Sequence, residues 1–279
     1  MIVIRPCDGF DELEACVQLQ IETWGYDVGD VIPRRAFLVA QKIGGQVIGA
    51  FDTEMPGAGS QGGSESLIGF AFSLPGVKSG ENHLLRGPAP YLHSHMLAVR
   101  PEWRNRGIGA QLKREQRLEA LSRGIRLMEW TFDPLEIKNS FLNIHRLGAV
   151  VCEYRVNFYS VSSSRLQGGL PTDRLLAEWH LDSPRVKAAL GGQPKEQYTI
   201  EERIPVPASI YQWKASEASR ELALTLQLEN RRRFQQAFSQ GLAVLGFALD
   251  PEGNGVFELG LASQARLLND SQNQGKYEN

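Results

Sequence analysis

The stretch from Leu92 to Leu112 constrains this chain more than any other. It begins with Leu92-His93-Ser94-His95-Met96-Leu97-Ala98-Val99, a run rich in strand formers that Pro101 brings to an end. From Ala110 to about Arg123 the residues favour helix: Ala110, Leu112, Lys113, Glu115, Gln116, Leu118 and Ala120. Between strand and helix lies a basic turn, Arg104-Asn105-Arg106-Gly107-Ile108-Gly109. Its two glycines let the backbone turn tightly or come close to a ligand. A helix N-terminus carries unpaired N–H groups and a partial positive charge, so it attracts phosphate. Arg104 and Arg106 add full charges beside it. The stretch is therefore either a phosphate cradle or a plain basic connector.

Composition narrows the partners. The chain has 279 residues, 42% of them hydrophobic and 22% charged, ordinary for a globular protein with a sizeable core. A net charge of −2 argues against a dedicated nucleic-acid binder, which needs a basic face. No apolar run reaches the roughly 18 residues a membrane span requires. The first residues read as a strand rather than as a signal peptide. Cys7, Cys16 and Cys152 lack metal-ligand spacing and are too few for a disulfide framework. All three read as small buried side chains, and a cytoplasmic location is expected.

Arg104-x-x-Gly107-x-Gly109, after a strand ending at Val99 and before a helix, resembles motif A of the GNAT superfamily of acyl-CoA-dependent N-acetyltransferases. The resemblance implies that acetyl-CoA is the acyl donor. Its pyrophosphate would lie on the backbone of Arg104, Asn105, Arg106, Gly107, Ile108, Gly109 and Ala110. Its pantetheine arm would pair with Leu97, Ala98 and Val99 as an added strand. Asn139 and Asn143 would hydrogen-bond the cofactor, or else serve only as helix caps or exposed residues. The implied fold is α/β of the α+β type, a mixed, mostly antiparallel sheet flanked by helices, with a C-terminal α/β extension.

The rest of the chain agrees with that order. Ile2–Arg5 is a strand, and Asp8 or Asp11 can cap the helix that follows through Trp24 to Gly25. Pro33 opens a second helix to Gln41, although 37–40 also suits a strand. Strands follow at 46–52 and 67–74, around a Gly/Ser loop at 56–64. A glycine- and proline-containing loop at 75–90 would lie near the acceptor site. After the long helix come a strand at 126–132, a helix at 139–147 and a strand at 149–159. A Ser/Gly-rich turn spans 160–172 and a last core strand 175–181. Residues 1–183 thus form the GNAT-like domain. Residues 184–279 add a short helix at 184–190, a linker at 191–194 and a strand near 198–204. A helix at 216–238 has Leu222, Leu226, Phe234 and Phe238 inward, and its Arg231-Arg232-Arg233 forms a solvated face. A hairpin at 244–259 and a polar tail from 269 complete the chain. This second part is expected to pack on the core and to shape the acceptor cleft or a homodimer contact.

His93 and His95, two apart on one strand, share a face. The run His93-x-His95-x-Leu97-Ala98-Val99 resembles the corresponding strand of serotonin N-acetyltransferase, where two histidines relay a proton from the amine through water. On that basis His93 and His95 are the catalytic candidates. A packing role or a two-histidine metal site are the alternatives, and no third ligand is visible. The N–H of Leu97 or Ala98 would polarise the thioester carbonyl. Two positions depart from the GNAT pattern. Ala149 replaces an aromatic, and Ile144 stands where a tyrosine commonly protonates the thiolate. Tyr154, Tyr159, a water or unassisted departure remain for that step. The expected reaction is acyl transfer from acetyl-CoA to the amine of a small molecule or amino acid derivative, without metal. The alternative is a module that binds acyl-CoA or a partner without turnover.

Overall fold

The computed structural model describes residues 1–55, 62–78, 88–160, 164, 167–193 and 197–265. Most of the expected Gly/Ser loop, part of the 75–90 loop and the tail from 269 lie outside them. The chain divides into two compact units, Met1–Met128 with Ser163–Leu166, and Glu129–Ser162 with Gln167–Asn279. In each, helices flank mostly antiparallel strands, an α/β architecture of the α+β type.

The first unit runs β1 (Ile2–Pro6), α1 (Gly9–Trp24), α2 (Arg34–Lys42), β2 (Gln46–Asp52), β3 (Leu67–Lys78), β4 (Ala89–Val99) and α3 (Ile108–Ser122). The strands lie in the order β1-β2-β3-β4, each antiparallel to its neighbour. The period-two pattern gives the sheet two apolar faces. Phe37 of α2 and Leu13, Cys16 and Leu19 of α1 pack on Phe70, Phe72, Met96 and Ala98. On the other face Ile108 and Leu112 of α3 meet Ile48, Ala50, Ile68 and Ala71.

Local chemistry explains where expectation and structure part. Asp8 occupies the N-cap of α1, but its side chain makes no cap bond. Glu12 instead accepts from the Asp8 N–H at 2.8 Å, and Arg5 holds it from the other side. β3 and β4 run into the expected loop, because Pro75 pairs with Leu92 and Gly76 with Tyr91. A Cβ on Gly76 would lie 2.6 Å from the Tyr91 ring. That glycine makes room for a cross-strand aromatic rather than marking a turn.

The second unit contains β5 (Leu127–Phe132, its first two residues belonging to the first unit) and α4 (Ile137–Ser140), which loosens into a π-helical turn over Phe141–Arg146. Then come β6 (Val150–Arg155), β7 (Arg174–His180), α5 (Pro184–Leu190), β8 (Glu202–Val206), α6 (Ile210–Ala215), α7 (Arg220–Ser239), β9 (Leu242–Leu249) and β10 (Gly255–Leu261). The order is β5-β7-β6-β9-β10-β8, so β9 continues the sheet from β6 through Val151 and Val244.

Several expectations are corrected here. The strand expected to run to 159 stops at Arg155, because Asn157 and Ser160 adopt left-handed φ of 46° and 57°. β8 includes Pro205, tolerated because β8 is an edge strand. Helix α6 was not expected. The buried row of α7 is Ala223, Gln227, Asn230, Phe234 and Ala237, and Leu222 is exposed. Cys152 is exposed, unlike Cys7 and Cys16.

Of the arginine triplet only Arg232 is exposed. Arg231 holds the fully buried Asp173 through two bonds, at 2.8 and 3.0 Å, and Arg233 pairs with Glu202. Asp173 also accepts from the Tyr154 hydroxyl at 2.6 Å and from the Asn157 N–H at 3.0 Å. One carboxylate thus ties α7 to β6 and to the turn after it. Arg231→Met should cost about 3 kcal/mol in a urea melt, because it strands a buried charge. Adding Asp173→Asn should recover part of that loss. A single mutant as stable as wild type would show the pair to be dispensable.

Candidate functional site

The site is built where β4 passes into α3. Asn105 and Gly107 take left-handed φ of 62° and 81°. These two reversals turn the chain so that Gly107 becomes the N-cap, and the helix starts at Ile108, two residues earlier than expected. The first N–H groups of an α-helix have no intrahelical acceptor, so those of Ile108, Gly109 and Ala110 open at this end. Gly107 accepts the Gln111 N–H at 3.1 Å, which closes the first turn. Arg104 folds back to give its Nε–H to the Val99 carbonyl at 3.1 Å while staying exposed. Arg106 lies over the Trp103 ring, 4.8 Å from its centroid. The turn therefore presents two cations and a row of N–H donors to an anion. Among the cradle residues only Ile108 is buried.

The strand leading into the turn is not regular. Phe72 pairs with Met96 and Ser73 with Ser94, so His95 is one residue too many in β4. Regular alternation would put His95 on the same side as Leu97 and Val99, which pack with Ile108 and Leu112 under α3. The bulge moves it across. His95 instead meets Phe72, with ring centroids 6.1 Å apart, and Phe72 belongs to the face covered by α1 and α2. The His93 and His95 rings lie 6.1 Å apart. The two histidines therefore do share a face, but not the face of Leu97 and Val99.

Both rings are half-buried. Burial, then the neighbouring His95 and Lys113, push the His93 pKa down to about 4. Burial lowers His95 as well. Both are neutral near pH 7 and able to accept a proton, though weakly. An unfolded histidine titrates near 6.5. Between about 4 and 6.5 the unfolded chain takes up a proton that folded His93 refuses. Stability should accordingly fall as pH drops through that window. Urea midpoints at pH 6.5 and 4.5 measure this, and His93→Gln should shrink the difference. An equal loss in both proteins would place the effect on other groups.

Ser94 points the other way, under α3. Its hydroxyl accepts from the fully buried Lys113 at 2.7 Å and donates to Gln116 Oε1 at 3.0 Å. Sequence reasoning missed these residues. Their signal is periodic: Lys113 and Gln116 occupy the inward row of α3 with Ile108, Leu112 and Ala120.

The remaining candidates lie in the second unit. Asn139 is exposed on α4. Asn143 is buried in the π-helical turn, and its Nδ2 finds no acceptor among the described residues. Such a turn often marks a functional position. Ile144 is buried. Tyr154 spends its proton on Asp173, and burial drives its pKa far up. Tyr159 is exposed and bonds Thr131 through its hydroxyl at 2.8 Å. No group of three or more metal-ligating side chains exists among the described residues. None of the described helices is long and apolar enough to cross a membrane.

No family model matches the sequence. No curated protein matches it either. Solved structures do. NAA60 of Arabidopsis thaliana in complex with acetyl-CoA is 19% identical, with 64% of this chain and 98% of that chain covered and a TM-score of 0.52. The ribosomal-protein-S18-alanine N-acetyltransferase of Escherichia coli is 14% identical, with 65% and 94% covered and a TM-score of 0.46. YncA, a putative acetyltransferase of Salmonella typhimurium solved with its cofactor acetyl-CoA, is 15% identical, with 65% and 94% covered and a TM-score of 0.46. The likeness to NAA60 carries the conclusion: this chain has the fold of the GNAT acetyltransferases.

Proposed function

We propose that this protein is an acetyl-CoA-dependent N-acyltransferase acting on the amine of a small molecule or amino acid derivative. The observation that carries the reading is the turn from Arg104 to Ala110. Two left-handed residues there open the first N–H groups of α3 beside two arginines. That donor set suits a pyrophosphate, and the GNAT fold with acetyl-CoA in NAA60 supports the same ligand. Acetyl-CoA would supply an activated acyl carbonyl on a good leaving group.

In this reading Asn105, Arg106, Gly107, Ile108, Gly109 and Ala110 hold phosphate oxygens through the backbone, and Arg104 adds its guanidinium. Leu97, Ala98 and Val99 offer backbone groups to the pantetheine arm, and an N–H of Leu97 or Ala98 polarises the carbonyl. His93 and His95 pass the proton from the amine toward solvent. Asn143, buried with an idle Nδ2, is the stronger asparagine candidate for a cofactor contact, and Asn139 the weaker. Tyr154 is committed to Asp173, which leaves Tyr159, a water or unassisted departure for the thiolate. Residues 1–183 act as the cofactor-binding domain and 184–279 as an extension that continues its sheet from β6. The buried free thiols of Cys7 and Cys16, hydrogen-bonded to each other at 3.8 Å, suit a reducing, cytoplasmic setting.

The test is release of free thiol from acetyl-CoA against a panel of small amines, amino acid derivatives and peptide N-termini. Release with a small amine supports the proposal. Tight acetyl-CoA binding without release on any amine would replace it with a binding module, and no binding would end both readings.

A further inference from the structure

The bulge at His95 needs something to hold it, because an extra residue breaks the ladder where it sits. The residues on either side of the break are tied down by buried polar groups. On β3, Ser73 donates to Gln46 Oε1 at 3.0 Å and accepts from the Gln46 N–H at 3.1 Å. On β4, Ser94 is gripped by Lys113 and Gln116. Gln46 closes the circuit by donating to the Gln116 carbonyl at 2.9 Å and to Glu119. Ser73, Ser94, Gln46, Lys113 and Gln116 are all at most 4% exposed. Groups of this kind are costly to bury, so the bonds they share at one irregularity hold its geometry, while Gln116 Nε2 has no partner among the described residues.

Lys113 donates to Ser94, and burial holds its pKa well below the ordinary lysine value. Its effect reaches the opposite face, where it and His95 are the charged or titratable groups acting on His93.

We propose that Lys113, Ser94 and Gln116 are positioning residues that pin β4 at its bulge and so aim His93 and His95 at the face where they move the amine's proton. The inference rests on the acyltransferase reading for its purpose, but its geometry can be tested without turnover. The probe is NMR titration of the His93 ring in Lys113→Met and Ser94→Ala, each checked for folding by circular dichroism. Ser94→Ala removes no formal charge, so a change at His93 accompanied by a changed NOE between the His93 and His95 rings reports a moved ring. The midpoint should rise from the depressed wild-type value toward the ordinary one in both variants. In the thiol-release assay kcat should fall about tenfold to a hundredfold, the scale of a misplaced catalytic group, with KM for acetyl-CoA within about twofold. A His93 midpoint and ring NOE unchanged from wild type in a folded Ser94→Ala protein would overturn the inference. Wild-type protein that releases no thiol would defeat the function alone, leaving the titration to decide the positioning.

Discussion

Gly107→Val is expected to weaken acetyl-CoA binding by at least about a hundredfold, while Gly109→Ala keeps both fold and affinity. The two glycines look equivalent in the sequence and differ in the structure. Gly107 has φ of 81°, a conformation costing a non-glycine residue about 1–2 kcal/mol, and a β-branched one more. Space is not the obstacle, since an added Cβ would meet only Gln111 Nε2 at 3.9 Å. The cost is conformational, and the chain can relieve it by abandoning the turn. That relief rotates the N–H groups of Ile108 and Gly109 away from the anion. Each charge-assisted bond lost removes about 1.5–3 kcal/mol. Gly109 is already helical, and an added Cβ would touch Leu97 at 3.6 Å, an ordinary contact. Alanine there should stabilise the helix by up to about 1 kcal/mol. Arg104→Ala should fall between, losing about 1–3 kcal/mol of affinity. Calorimetry on proteins of matched circular dichroism measures all three. Unchanged affinity in a folded Gly107→Val protein would remove acetyl-CoA from this turn.

The sequence was most readable where one residue type has one physical use. Pro33 and the Gly44-Gly45 pair bounded α2, and the helical reading of 37–40 prevailed over the strand. Gly25 ends α1 with φ of 65°, as a glycine after an apolar period should. The cradle was legible because glycine, arginine and a helix start coincide. It failed where a residue type has two uses. Gly76 resembles a turn residue and in fact accommodates Tyr91. Arg231 to Arg233 look solvated because nothing local signals that Asp173 waits 58 positions away from Arg231 in sequence. The bulge was invisible for a related reason: period-two alternation assumes a regular ladder, and a single extra residue reverses every facing before it. His93 and His95 kept a common face only because both lie before the break.

His93→Gln and His95→Gln should each lower kcat/KM on the true amine, and the double change should cost less than the product of the singles. The reasoning begins with the amine. Protonated, it cannot attack a carbonyl, so a base must take its proton at the moment of reaction. Two neutral imidazoles with centroids 6.1 Å apart fit a relay bridged by one water. Once one link is cut, the second has little left to carry, which is why the losses should not multiply. A positioned base contributes roughly 10²–10⁴-fold, so the double mutant should fall by that amount. Lowered pKa values set the sign of the pH dependence. The rings are disabled only when protonated, so activity should fall on the acid side, at a pH below the ordinary histidine value of about 6.5. That limb should flatten in the double mutant. Acetyl-CoA affinity should hardly change, because the phosphate cradle lies beyond Val99. Steady-state kinetics from about pH 3.5 to 8, a range that includes the value of about 4 for His93, give the answer. Wild-type turnover and an unaltered acid limb in the double mutant would mean that the histidines only pack against Phe72, and that the base lies elsewhere.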